Sequence, residues 1–256
     1  MPFEVTVRGQ RPWPAISLRP EPRGDSLADI FRDIAGSGDW GQGESESGFG
    51  SDLVQTAALR DALPKLVAAL DVRRFLDIPC GDMFWMSQCR LGVEHYLGAD
   101  VVPEIVARAR SRFGADGRQL QVLDLVHDPL PRVDMVFSRD CLVHLDDNDI
   151  MAALRNVVRS QATYFAATTF VRREVNLPGT TGGWRTLNLC RAPFSLPAPL
   201  ALINEQCSET YVLDTDEHGN QFLATPGDGQ VNLRGEGLTF TDKSIGVWRT
   251  ADWPWN

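Results

Sequence analysis

The sequence predicts an α/β fold, with an open, mostly parallel sheet carrying helices on both faces. Three observations predict it. Short apolar runs lie at 74–78, 94–100, 119–124, 132–138 and 162–170, and all but the last end on or just before an acidic or polar residue. Between them, 83–91, 103–113 and 147–160 read as helices. Alternation at this spacing means crossover connections, which parallel neighbours require.

The elements follow in order. Pro at positions 2, 12, 14, 20 and 22 fixes backbone angles and removes donors, so residues 1–24 are expected as an extended arm. The glycine-rich stretch 36–51 is a mobile or functional loop, and residues 1–51 together form an N-terminal arm and lid. Apolar residues recur at helical spacing from Asp52 to Leu70, with Ser51 or Asp52 as N-cap and Pro64 as a kink or break. The helix at 103–113 opens with Pro103 in its first turn, where a missing N–H costs nothing. After 170 the rhythm changes: 178–208 is rich in Pro and Gly, and 214–237 reads as hairpins and loops. Residues 178–240 are thus a C-terminal insertion that shapes a substrate site, within a main domain spanning 52–256. Lys243-Ser-Ile-Gly-Val-Trp-Arg-Thr closes the sheet as a final strand, antiparallel at or near an edge.

Composition narrows the class. A chain of 256 residues, 43% hydrophobic, suits one well-buried domain with extra segments. A net charge of −9 and 25 scattered basic residues argue against nucleic acid, because phosphate-backbone binding needs clustered Lys and Arg. The five cysteines show no CxxC pairing and no disulfide density, which points to a reducing setting. Neither a signal-peptide pattern nor an apolar run near the ~20 residues of a membrane span is present. The expectation is a cytoplasmic protein without a membrane partner.

In an open parallel sheet, ligands lie beyond the carboxyl ends of the strands. The residues there are Asp77 to Asp82, Asp100, Asp124, and Ser138 to Asp140. Gly81 lets the backbone approach a ligand, and Asp77 and Asp82 face an ammonium or sulfonium group. Asp100, 18 residues after Asp82, suits two ribose hydroxyls, and Asp124 suits an adenine amine. One acidic group per strand end fits a cationic nucleoside.

Leu76-Asp-Ile-Pro-Cys-Gly-Asp-Met-Phe-Trp-Met86, Gly98-Ala-Asp100, Leu123-Asp-Leu125 and Val133 to Leu145 together resemble motifs I to IV of class I S-adenosylmethionine-dependent methyltransferases. More narrowly, the chain resembles a bacterial subgroup with a DIPCGD-type first motif, often linked to saccharide biosynthesis. That subgroup also has counterparts of Trp40, Glu44 to Ser51, Trp184 to Leu189, Ala192 to Phe194, Glu205 and Asp242-Lys243, so the likeness spans most of 40–250. The resemblance implies a Rossmann-like methyltransferase fold with a seven-stranded sheet, and S-adenosyl-L-methionine as cofactor. Asp77, Pro79, Gly81, Asp82, Trp85, Asp100, Val101, Asp124, Leu125 and Ser138 would hold it. The implied acceptor is a small saccharide hydroxyl, at its narrowest the 1-hydroxyl of a methylmannoside, and a homodimer is an expected assembly. Two departures stand out. Pro79 and Met83 occupy positions where the usual first motif has glycine, which predicts a shifted pose for the cofactor's methionine end. The 214–237 segment is also longer than the subgroup leads one to expect.

Methyl transfer from sulfonium is an in-line displacement, and an unactivated hydroxyl needs a base. His144 is the candidate. If Asp140 to His144 forms a first helical turn, the two side chains share a face and Asp140 orients the imidazole or the sugar. The plain alternative is that His144 caps or packs that helix. Asp146 and Asp147 read as caps of 147–160. Glu205 reads as an acceptor ligand or base, and with Asp140 it forms a carboxylate pair suited to a divalent cation such as Mg²⁺. Trp184, Arg185 and Asn188 resemble a saccharide-binding surface, against the alternative of simple packing. His95, His127 and His218 are expected to be structural or exposed, and Cys80 and Cys141 to be small apolar fillers. Trp40 to Ser51 is a lid over the cofactor, or else a linker.

Other functions compete with this reading. One is N- or O-methylation of a small non-sugar metabolite. Amino methylation of DNA is disfavoured because no [DN]-P-P-[YFW] tetrapeptide occurs at the fourth motif. A nicotinamide-dinucleotide oxidoreductase would also use Asp100, but the G-x-G-x-x-G turn is missing. A non-catalytic cofactor-binding subunit is the fourth.

Overall fold

The computed structural model describes residues 17–18, 26–37, 44–114, 117–215, 221–224 and 237–255. Trp40, His218, the arm before residue 17 and much of 214–237 lie outside the described residues. In chain order the elements are β1 (Ser17–Leu18), α1 (Leu27–Ser37), α2 (Ala57–Ala69), β2 (Arg74–Asp77), α3 (Phe84–Ser87), β3 (His95–Asp100), α4 (Pro103–Phe113), β4 (Gln119–Val122) and β5 (Met135–Ser138). They continue with α5 (Asp147–Arg159), β6 (Tyr164–Phe170), β7 (Trp184–Arg185), β8 (Ala201–Asn204), β9 (Thr210–Thr215), β10 (Gln221–Ala224), β11 (Gly237–Thr239) and β12 (Lys243–Arg249).

Seven strands form the main sheet in the order β4-β3-β2-β5-β6-β12-β8. The first five run parallel, and β12 lies antiparallel between β6 and β8. The final strand is therefore next to the edge, and β8 forms the edge itself. Both faces are covered, which explains why these strands read as nearly continuous apolar runs. Leu76, Val136, Phe165 and Trp248 point into a core shared with Ile150, Leu154 and Val157 of α5. Their neighbours Phe75, Phe137, Ala166 and Val247 point the other way, against Leu59, Leu63 and Val67 of α2. Among the described residues, no helix is long and apolar enough to cross a membrane.

Several elements differ from expectation. α2 begins at Ala57, since the chain from Asp52 to Thr56 first makes turns. Pro64 stays inside the helix, and the Arg60 carbonyl that loses its usual donor is approached by the Cys89 thiol at 4.0 Å. α1 and β8 were not anticipated. Ser26 starts α1 by accepting the Asp29 N–H at 3.3 Å, and Ile30 and Ile34 are buried. The hairpin reading of the insertion meets a three-stranded antiparallel sheet, β10-β9-β11.

Candidate active site

The chain runs outward from β2 through β3 to β4, then crosses back to lay β5 on the other side of β2. The carboxyl ends of β2 and β5 therefore flank the switch point, where open α/β sheets bind ligands. A cleft opens there, lined from the ends of these strands.

β2 delivers Asp77 to this cleft, and the following turn is built by its neighbour strand. Cys80 N–H donates to the Ala99 carbonyl at 2.7 Å, and Gly81 N–H donates to Asp100 Oδ2 at 3.2 Å. Gly81 has φ +54°, and a Cβ there would strike Ser47 Oγ. Asp77 is 2% exposed and accepts the Tyr96 hydroxyl at 2.5 Å. Burial pushes its carboxyl up to about 7, against the lowering pull of Tyr96 and Arg118. Asp100 also accepts Val102 N–H at 3.0 Å, and burial raises it to about 6 despite those backbone donors. Asp124 lines the cleft while accepting Val126 N–H at 2.7 Å and meeting His127 Nδ1 at 2.9 Å.

Asp82 reaches the cleft but is engaged by the loop before α2. It accepts Ser45 Oγ at 3.0 Å, Glu46 N–H at 2.9 Å and Phe84 N–H at 3.1 Å. Pro79, Trp85, Val101 and Leu125 line the cleft. Ser138 does not; it is fully buried behind it.

His144 and Asp140 both line the cleft, but not as one helical turn. Asp140 has φ +50°, and only Leu142–His144 coils, as a 3-10 turn. That left-handed residue ends β5 abruptly and breaks the i, i+4 relation. The imidazole is oriented instead by the Gly183 carbonyl, 2.7 Å from Nδ1. Since a carbonyl can only accept, Nδ1 carries the proton and Nε2 has the lone pair in the neutral ring. Burial lowers the His144 pKa, with the Gly183 carbonyl and Asp140 opposing. Asp146 caps α5, accepting Asp149 N–H at 2.9 Å, whereas Asp147 is the first residue of that helix.

Asp140 instead belongs to a buried block of charges. Lys243 Nζ donates to its Oδ2 at 2.6 Å, and Arg139 lies 3.3 Å from the same oxygen. Burial alone would raise Asp140, but Lys243 and Arg139 hold it well below the usual carboxylate range. Glu205, 2% exposed, is gripped by Arg139 at 2.7 and 3.1 Å, with Lys243 at 3.8 Å. Glu205 does not line the cleft. The cation expected between Asp140 and Glu205 finds Lys243 and Arg139 already balancing both carboxylates. Among the described residues, no group of three His, Cys, Asp or Glu could hold a metal ion.

The expected saccharide surface does not reach the cleft either. Arg185, 1% exposed, donates to the Leu177 and Leu145 carbonyls and pairs with Asp147. Asn188, 4% exposed, donates to the Arg173 carbonyl, and Trp184 packs edge-on against Phe170 and Phe240. These contacts tie the insertion to the rest of the fold. Cys80 and Cys141 line the cleft with thiols raised by burial, Cys141 to about 12, so they stay protonated.

Other cleft residues have no role assigned from the sequence, among them Leu27, Phe31 and Arg139. Leu27 and Phe31 of α1 form an apolar wall, with Phe31 edge-on to His144 at 6.4 Å. The Leu27, Ile30, Phe31, Ile34 spacing carried that signal. Arg139, inside the strand-end run Ser138 to Asp140, is stacked over Trp85 at 5.5 Å and donates to the Gly50 carbonyl at 2.6 Å. Its place at a strand end is the signal the sequence carries for it.

Residues 75–162 match the family described as a methyltransferase domain. No curated protein matches the chain. Among solved structures, the methyltransferase domain of bacterial CtHen1 is similar at 17% identity and TM-score 0.41, covering 45% of this chain and 66% of that one. Magnesium protoporphyrin IX methyltransferase from Synechocystis PCC 6803 with bound SAH is similar at 18% identity and TM-score 0.41, covering 55% of this chain and 65% of that one. A putative methyltransferase of Haloferax volcanii, in complex with its Trm112 activator, gives 21% identity and TM-score 0.41, covering 56% and 60%. The chain thus spans just under two thirds of these relatives' length, or less.

Proposed function

We propose that this chain, whose residues 75–162 match the methyltransferase-domain family, transfers a methyl group from S-adenosylmethionine to a hydroxyl of a small saccharide. The observation that carries the reading is a single cleft that collects Asp77, Asp100 and Asp124 from three successive strand ends, together with His144. Three acceptor-only carboxylates fit a ligand bearing an ammonium group, a ribose diol and an adenine amine. Gly81, at φ +54°, lines the same cleft and lets the chain turn there without a side chain. Asp77 would hold the ammonium end, Asp100 the ribose, and Asp124 with Ile105, Leu123 and Leu125 the base.

The cofactor supplies an electrophilic methyl group. The chain's own work is to orient the acceptor, exclude water and take a proton. Nε2 of the neutral His144 accepts the hydroxyl proton as oxygen attacks, and the Asp140 carboxylate favours the resulting imidazolium. Leu27, Phe31 and Trp85 keep bulk water from the reacting atoms. The saccharide class rests on the resemblance of the DIPCGD-type motif. A small non-sugar acceptor is the second reading, favoured by the apolar wall of Leu27 and Phe31, the latter edge-on to His144.

Calorimetry should give binding of S-adenosylhomocysteine and none of NADH; preference for NADH would overturn the proposal. Labelled transfer to a panel of saccharides and non-sugar hydroxy compounds separates the two acceptor readings. His144→Ala should lower turnover by about 10²-fold or more while sparing S-adenosylhomocysteine affinity. Near-normal turnover would remove the base role.

A further inference from the structure

His144 is held by a segment nearly 40 residues further along the chain, the turn Thr180-Thr-Gly-Gly183. The turn grips the residue twice. Gly182 N–H donates to the His144 carbonyl at 2.9 Å, and the Gly183 carbonyl accepts from Nδ1 at 2.7 Å. Gly183 N–H closes the turn on the Thr180 carbonyl at 2.9 Å. Both contacts to His144 come from backbone, so something else must fix the turn in space.

The Thr181 hydroxyl does so. It donates to Asp149 Oδ2 at 2.6 Å and accepts Asp146 N–H at 3.1 Å. Asp146 and Asp149 are the N-cap and third residue of α5, the helix that begins just after His144. Gly182 has φ +88°, and a Cβ there would come within 2.9 Å of Ile30 in α1. The clasp is therefore anchored to α5 by one side chain and kept thin where α1 crosses it.

We propose that Thr181 is a positioning residue for His144, pinning the 180–183 turn so that the Gly183 carbonyl fixes the proton on Nδ1 and leaves Nε2 as the accepting nitrogen. The proposal rests on His144 being the base. Without a fixed carbonyl, a neutral imidazole can carry its proton on either nitrogen, and the Nε2–H form cannot take one from an acceptor. A Val side chain keeps the volume of Thr and deletes both hydroxyl bonds.

The test uses the full chain with S-adenosylhomocysteine bound, reading the His144 tautomer by ¹⁵N NMR, and the pH profile of kcat with acceptor. Thr181→Val should give a mixed tautomer, a displaced acid limb of the profile and a fall in kcat of about 10-fold, since small misplacements of a catalytic group are costly. Thr181→Ser, which keeps the hydroxyl, should restore the single tautomer and kcat to within about twofold. A single Nδ1–H tautomer with an unchanged pH profile in Thr181→Val overturns the proposal. Should that variant not fold, Asp149→Ala removes one anchor of the same hydroxyl and is read identically. Failure of the base reading is seen elsewhere, as near-normal turnover of His144→Ala, and leaves the tautomer measurement intact.

Discussion

Asp77 and Asp100 sit in the cleft with carboxyls raised by burial to about 7 and about 6. Both lie above the ordinary 3.8, so the folded apo protein holds protons that the unfolded chain has released. These two groups thus favour the folded apo state at acid pH and lose that contribution as pH rises through 6 and 7. A ligand with an ammonium group and ribose hydroxyls needs them ionised, which reverses the sign for binding. S-adenosylhomocysteine affinity should be about tenfold or more weaker at pH 5 than at pH 8, and Asp77→Asn should flatten the upper part of that curve. A pH-independent affinity by calorimetry would contradict this. The residues concerned were legible because strand ends are a local pattern. Glu205, Arg185 and Asn188 were not, since their roles depend on distant partners. Arg139 grips Glu205 from 66 positions away, and Arg185 bonds the Leu145 carbonyl from 40. No spacing rule tells a buried carboxylate held by arginine from one awaiting substrate.

Among the elements, α4 fell at its expected bounds because Pro103 marks its first turn and its apolar residues repeat at helical spacing. α1 has the same periodicity but lies between a proline-rich stretch and a glycine-rich one, whose punctuation masks it. β8 reads as part of a loop because, at the sheet edge, all its residues are only half buried. β12 shows how one strand can depend on a single glycine. A Cβ at Gly246 would overlap the Trp248 indole, which is itself 1% exposed in the core. Gly246→Ala should therefore destabilise the protein by about 1–3 kcal/mol, as overpacking does. An unchanged midpoint in chemical denaturation would show that the indole moves aside freely.

Across the whole molecule, the described stretches 26–37 and 44–51 contribute Leu27, Phe31, Ser47 and Ser51 to the wall of the cleft. Their outer fastenings are exposed ion pairs, Arg32 with Glu104 at 3.0 Å and Glu46 with Arg108 and Arg112 at 2.9 and 3.1 Å. Exposed pairs of this kind are weak and weaken further with salt. The inner fastenings, at Asp82 and Arg139, are more sheltered. Deleting residues 1–51 should accordingly weaken S-adenosylhomocysteine binding, and unchanged affinity would show that the segment is only a linker. The placement of β12 has a further consequence, for the order of assembly. β8 joins the main sheet through β12, so it waits for a strand made almost 40 residues later. Until β12 threads in, β6 presents a bare edge on that side, and Asp140 lacks the ammonium group that Lys243 brings. Pairing of the β6 edge and neutralisation of the charge beside the cleft are then one event.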